Sequence, residues 1–175
     1  WKSNGTSAGT TVVKDILAGS DASFPQHLTN VNGVLYFSAT DGINGRELWK
    51  SDGTVAGTVL VKDINPGSIG SGPNALTNLN GVLYFAATDA ANGQELWKTD
   101  GTAAGTVIVK DILPGAAGSN PVSLTAINNR LLFAANNGIN GQEVGKTDGT
   151  EAGTVMVQDI TIEGSSSPNS YTAAG

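Results

Sequence analysis

Residues 47–64 read ELWKSDGTVAGTVLVKDI and residues 95–112 read ELWKTDGTAAGTVIVKDI. The phrase is one part of a longer repeat: Trp1, Trp49 and Trp97 recur every 48 residues, as do Asp15, Asp63, Asp111 and Asp159, and the copies align without a gap. A fixed period of roughly 20–50 residues marks an architecture in which each unit buries its apolar faces only against its neighbours. In the second copy four apolar runs stand out: NALTNLN (74–80), VLYFAAT (82–88), QELWKTD (94–100) and GTVIVKDI (105–112). Their β-branched and aromatic content and short length predict strands, and no stretch carries a helical period.

The punctuation between the runs fixes how the strands connect. Asn80-Gly81, Asn92-Gly93 and Asp100-Gly101 are hairpin dipeptides, in which glycine takes positive φ without steric cost. The link from Pro114-Gly115 to Pro121 is longer and steps to the next unit. Apolar residues on both faces of VLYFAAT and GTVIVKDI predict sheets covered on both sides. The fold expected is therefore all-β, a β-propeller-like array of four-stranded antiparallel meander blades with a 48-residue repeat. A β-solenoid of parallel coils is the rival, and the tight Asn-Gly hairpins argue against it. Residues 1–175 form a single repeat domain on this reading. It comprises a partial blade (1–24), blades at about 25–72, 73–120 and 121–163, and a tail (164–175).

Most of the repeated residues have architectural roles in this frame. Asp52-Gly53-Thr54, Asp100-Gly101-Thr102 and Asp148-Gly149-Thr150 are turns in which the Asp and Thr side chains bond nearby backbone amides. Trp1, Trp49 and Trp97 are expected to dock between blades, each indole N–H seeking a backbone acceptor. Lys14, Lys62 and Lys110 precede aspartates on the fourth strand, where cross-strand ion pairing is the expectation. The last copy departs from the pattern, with Gly145 in place of tryptophan and Leu132 where Tyr36 and Tyr84 stand; that blade is expected to pack less tightly.

Through Glu47-Leu48-Trp49 to Asp52-Gly53-Thr54, and again through Glu95-Leu96-Trp97 to Asp100-Gly101-Thr102, the chain resembles the ELWxxDGT repeat family of large bacterial secreted or surface proteins. The stretch YFAATDAANGQELWKTDG is more loosely similar to the tryptophan-docking motif of quinoprotein-type propellers. The resemblance implies a propeller-like fold and an extracellular or cell-surface setting, and it implies no catalytic residue set.

Composition narrows the chemistry. Charged residues make up only 14% of the 175, and 15 acidic residues outnumber 9 basic ones. Such a surface cannot neutralise phosphates, so nucleic acid is excluded as a partner, and no apolar run is long enough for membrane insertion. The absence of cysteine removes disulfides, thiolate metal sites and thiol nucleophiles. The opening on Trp1, not methionine, is expected of a segment of a longer parent chain.

Three chemistries remain to be weighed. Calcium is the one cofactor left open, with oxygen ligands in TDGINGRE (Asp41, Asn44, Glu47) and TDAANGQE (Asp89, Asn92, Glu95). These spacings do not match an EF-hand loop, and Asn137 replaces the aspartate in the third copy; simple hairpins explain the same residues. The only histidine, His27, aligns with Ala75 and Ser123 and is expected to face solvent. Glu47, Glu95 and Glu143 lie on different blades, too far apart for acid and base pairs, so the chain is read as no enzyme. A carbohydrate-binding propeller with one weak site per blade, made by Tyr36, Tyr84 or the tryptophans and directed at surface glycans, is the alternative to a structural or adhesion module.

Ring closure poses the last question. Residues 1–16 supply the last two strands of a further blade and SSSPNSYTAAG supplies a first strand, but a VLYFAAT equivalent is missing. The expected partners are therefore further repeats of a longer parent chain or copies of itself, joined by strand addition.

Overall fold

The computed structural model describes residues 1–139, 141–158 and 164–172. Asp159, the end of the 121–163 unit and residues 173–175 of the tail lie outside the described residues. Twelve strands make three antiparallel sheets, each ordered as the chain runs. The first holds β1 (Gln26–Val31), β2 (Val34–Thr40), β3 (Arg46–Ser51) and β4 (Val59–Lys62). The second holds β5 (Asn74–Leu79), β6 (Val82–Asp89), β7 (Gly93–Thr99) and β8 (Val107–Lys110), and the third β9 (Val122–Ile127), β10 (Arg130–Asn136), β11 (Gln142–Thr147) and β12 (Val155–Gln158). All strand pairings within the sheets are antiparallel, so the parallel coils of a solenoid are not formed. No helix occurs among the described residues.

The turn chemistry explains the register. Asn32 and Gly33 have φ of 52° and 87°, and Asn80 and Gly81 have 53° and 84°, the two positive values that a two-residue type I′ hairpin demands. The third sheet makes the same turn with Asn128 and Asn129. A feature the sequence did not announce sits in each first strand. His27, Ala75 and Ser123 all have φ between 53° and 56°, and the register of each first strand against the second shifts beside them. This is a β-bulge at one fixed place in every unit. His27 is exposed on it.

Alternation along the strands gives each sheet two apolar faces. Val31, Tyr36, Leu48, Val61 and Ile64 of the first sheet pack against Leu83, Phe85, Ala87 and Trp97 of the second. The opposite face of the second sheet, with Leu79, Tyr84, Leu96 and Val109, packs against Leu131, Phe133 and Ala135 of the third. Phe37, Ala39 and Trp49, on the remaining face of the first sheet, are covered by Ile16 of the N-terminal segment. Within that segment Lys2 and Thr11 form an isolated antiparallel bridge.

Consecutive sheets approach most closely at their first strands, β1 against β5 and β5 against β9. There Thr29 Oγ1 donates to Leu76 O at 3.3 Å and Thr77 Oγ1 to Leu124 O at 3.2 Å. The fourth strands are bridged differently, by long side chains.

Candidate functional site

Lysines span the space between units in two rows. Lys2, Lys50 and Lys98 reach the glycine carbonyl of the next Asp-Gly-Thr turn, at Gly53 (3.2 Å), Gly101 (2.8 Å) and Gly149 (2.7 Å). Lys14, Lys62 and Lys110 reach the carbonyls of Thr58 (2.7 Å), Thr106 (2.8 Å) and Thr154 (2.9 Å). The ion pairing expected of the second row is thus replaced by bonds to the neighbouring unit's backbone. An ammonium offers three donors on a flexible stem, enough to reach a carbonyl that its own strand cannot offer. Lys62 also lies 5.7 Å from the centre of the Trp97 ring, a cation–π distance.

The repeated glutamates turn inward. Glu47 and Glu95 are fully buried. Ser71 donates to Glu47 through its N–H at 2.7 Å and its hydroxyl at 2.5 Å, and Asn65 N–H adds a bond at 3.2 Å. Glu95 receives the same from Ser119, with Leu113 and Ile112 amides in support, and Glu143 receives Ser166. Each carboxyl therefore clamps the loop that leads to the next unit. Burial pushes the carboxyls of Glu47 and Glu95 up, and the serine and backbone bonds offset only part of that. The signal was available in the sequence as a serine 24 residues beyond Glu47 and Glu95, but its partner role needs the loop to fold back.

These clamps separate the calcium candidates. Asp41 accepts from the amides of Ile43 and Asn44 and from the Asn44 side chain, and Asp89 does the same with Ala91 and Asn92. Burial raises the Asp41 pKa, but the bonds outweigh it and hold the group below its ordinary value. Glu47 and Glu95 meanwhile accept from the hydroxyls of Ser71 and Ser119, whereas Asp41 and Asp89 are engaged by their own turns. No group of three His, Cys, Asp or Glu able to hold a metal occurs among the described residues.

Two of the three docking tryptophans are where the repeat puts them. Trp49 and Trp97 are 7% and 6% exposed, whereas Trp1 is 82% exposed. Among the described residues no sheet covers Trp1. The expected acceptor for the Trp97 indole is also absent: its N–H is buried without a partner.

The Asp-Gly-Thr turns form as expected. Asp52 accepts from the amide and hydroxyl of Thr54 at 2.9 and 2.7 Å, and Asp100 with Thr102 and Asp148 with Thr150 repeat the geometry. The threonine bonds hold all three carboxylates below their usual range. Gly53, Gly101 and Gly149 have φ of 86°, 90° and 93°. The tyrosines of the preceding unit press on two of them, Tyr36 on Gly101 and Tyr84 on Gly149.

Between the second and third sheets these turns bound an open cleft of about 490 Å³, lined by Tyr84, Lys98, Thr99, Asp100, Asp148 and Thr150 among others. Tyr84 is raised in pKa, first by burial and then by the Asp148 charge, and Tyr36 stands in the same relation to Asp100. The cleft combines carboxylate acceptors, a tyrosine and an ammonium, groups suited to polar ligands and without a nucleophile and base in contact. The chain matches no protein-family model and no curated protein.

Proposed function

We propose that this chain is a non-catalytic structural or adhesion module of an extracellular or cell-surface protein, related to the ELWxxDGT repeats and built from propeller-type blades. One observation carries the reading. The residues that the sequence offers for chemistry serve the scaffold: the glutamates clamp loops, the aspartates close turns and the lysines tie units together. The propeller-type arrangement is supported by the fan of the sheets, close at β1, β5 and β9 and bridged by lysines farther out.

The cleft beside Tyr84 favours a second reading, a lectin with one weak site at each junction between units. A glycan array followed by calorimetry separates the two. The scaffold reading expects blanks. Saturable binding with about one sugar per junction, abolished by Tyr84→Phe with Asp148→Asn, replaces it with the lectin. Turnover in a hydrolase panel that survives purification and disappears in Glu95→Gln replaces both.

A further inference from the structure

The three units depart from one another in a concerted way at one edge. In the first, the hairpin between β2 and β3 carries Ile43, β3 begins at Arg46, and the loop to the second unit carries Ile69. The second unit has Ala91, Gln94 and Ala117 at these places, and the third keeps Ile139 but has Gln142 and Ser165. Ser38 on β2 is replaced by Ala86 and Ala134. The arginine and the serine belong together: Arg46 Nη1 donates to Ser38 Oγ at 3.3 Å, to Ser38 O at 3.4 Å and to Phe24 O at 2.8 Å. Ser38 is fully buried, so a hydroxyl enters the core at this place only in the unit whose arginine uses it.

The backbone carries apolar side chains to the same edge. Arg46 makes an isolated parallel bridge with Gly70, and a Cβ on Gly45 would come within 2.5 Å of the Ile69 carbonyl carbon. Phe24, Ile43 and Ile69 are 61%, 76% and 85% exposed. Single exposed apolar residues are ordinary on a protein surface, but three at one edge beside a cation form a patch. Both flanks of this hairpin are occupied. Leu17 lies against Gly42, where a Cβ would meet it at 2.7 Å, and from the following loop Gly72 N–H donates to Arg46 O at 3.0 Å. The exposure therefore belongs to the unit itself and not to either end of the array.

We propose that this edge of the first unit docks a peptide segment of a partner protein, one that carries a carboxylate next to bulky apolar side chains. The inference rests on the structural or adhesion reading above and gives its adhesion arm a partner chemistry. Charge selects the occupant. Among the described residues no carboxylate bonds Arg46, and its Nε and Nη2 make no hydrogen bond. Asp41, the acid of the same hairpin, is taken up by the amides of Ile43 and Asn44 and by the Asn44 side chain. A guanidinium anchored through one terminal nitrogen keeps its planar fork ready for a carboxylate, and the bare isoleucines gain by covering apolar groups beside it. Nucleic acid and anionic bilayers call for several cations, which a chain of formal net charge −6 with one arginine at this edge does not offer. The contact is small, so binding is weak, and the charge pair is partly exposed, so salt weakens it further.

The test is titration of the isotope-labelled full chain with short synthetic peptides, blocked at both ends, in which an acidic, a neutral polar or a basic residue stands between leucines and phenylalanines. Amide chemical shifts report the site. The expected result is saturable shifts at Ile43, Arg46 and Ile69 with the acidic peptides alone, with Kd between about 10 µM and about 1 mM and weaker in high salt. Arg46→Gln with Ser38→Ala and, separately, Ile43→Ala with Ile69→Ala install the residues of the second unit, so the fold should tolerate them. Each pair should weaken binding by at least about fivefold while circular dichroism and melting temperature stay unchanged. The proposal is overturned by an absence of saturable shifts with every peptide, by equal binding of acidic and neutral peptides, or by binding that survives both pairs of substitutions. Shifts centred on the cleft beside Tyr84, or a response to phosphatidylglycerol vesicles and not to peptides, overturn it too. A blank leaves the scaffold reading standing, which falls instead to glycan binding or turnover, so the two failures are distinguishable.

Discussion

The two interior interfaces have the same plan and different contents. Between the first and second sheets Trp97 fills the centre, with Phe85 as its cross-strand partner and Lys62 over its ring. Between the second and third, glycine stands at the tryptophan position, and Phe133 leans over it so closely that a Cβ on Gly145 would meet the ring edge at 2.5 Å. A hollow of about 140 Å³ remains beside Met156, the residue with which Gly145 pairs, bounded by Lys110 and Ile112. The lysine strut and the threonine carbonyl persist at both interfaces. The polar ties therefore hold spacing and register independently of the indole, and the indole adds packing to a geometry already set.

Substitutions can break or sharpen this contrast. The largest effect is expected of Trp97→Ala, which should lower unfolding free energy by about 3–5 kcal/mol in chemical denaturation. Trp1→Ala should cost under about 0.5 kcal/mol, because Trp1 is exposed. Next, Glu95→Ala strands the amides of Ser119 and Leu113 and should cost about 2–3 kcal/mol. Glu143→Ala should cost less, since its loop partner Ser166 is only part-buried. Amide exchange should report the released loop residues directly.

Gly101→Ala should cost about 1–2 kcal/mol, because the residue has φ of 90° and the new methyl group would strike Tyr36. Combining it with Tyr36→Phe should recover only the steric part. Gly145→Trp should act in the opposite direction, raising stability by about 1 kcal/mol by filling the hollow. Phe133 must then rotate to the pose of Phe85, so a net loss would show that the third sheet cannot repack.

The smallest effect is a pH slope. Burial raises the folded carboxyls of Glu47 and Glu95 above their ordinary value of 4.5. Their contribution is complete below that value and is lost as pH climbs through the raised folded one. Replacing both with Gln should flatten the slope in that window. The exposed turn aspartates, whose values are lowered, act only at more acidic pH and in the opposite sense.

The strands were legible because each is bounded by dipeptides with only one good conformation, such as Asn80-Gly81, and because both faces of VLYFAAT are apolar. The bulge at His27, Ala75 and Ser123 was not, since a histidine, an alanine and a serine share no preference for positive φ. Side-chain destinations were legible only where they are local. The aspartate turns satisfy themselves within a few residues, whereas the lysine acceptors lie 44 or 51 residues away and the glutamate donors 17 to 24. Those depend on how one unit stacks on the next. Trp1 shows the same limit: its motif is that of Trp49, and its exposure depends on what stands beside it.

The six lysine ties run from one unit to the same backbone atoms of the following one. A stretch of coding sequence one period long can therefore be lost or duplicated in frame, and every surviving side chain still finds its usual acceptor. The contacts themselves leave the number of units free.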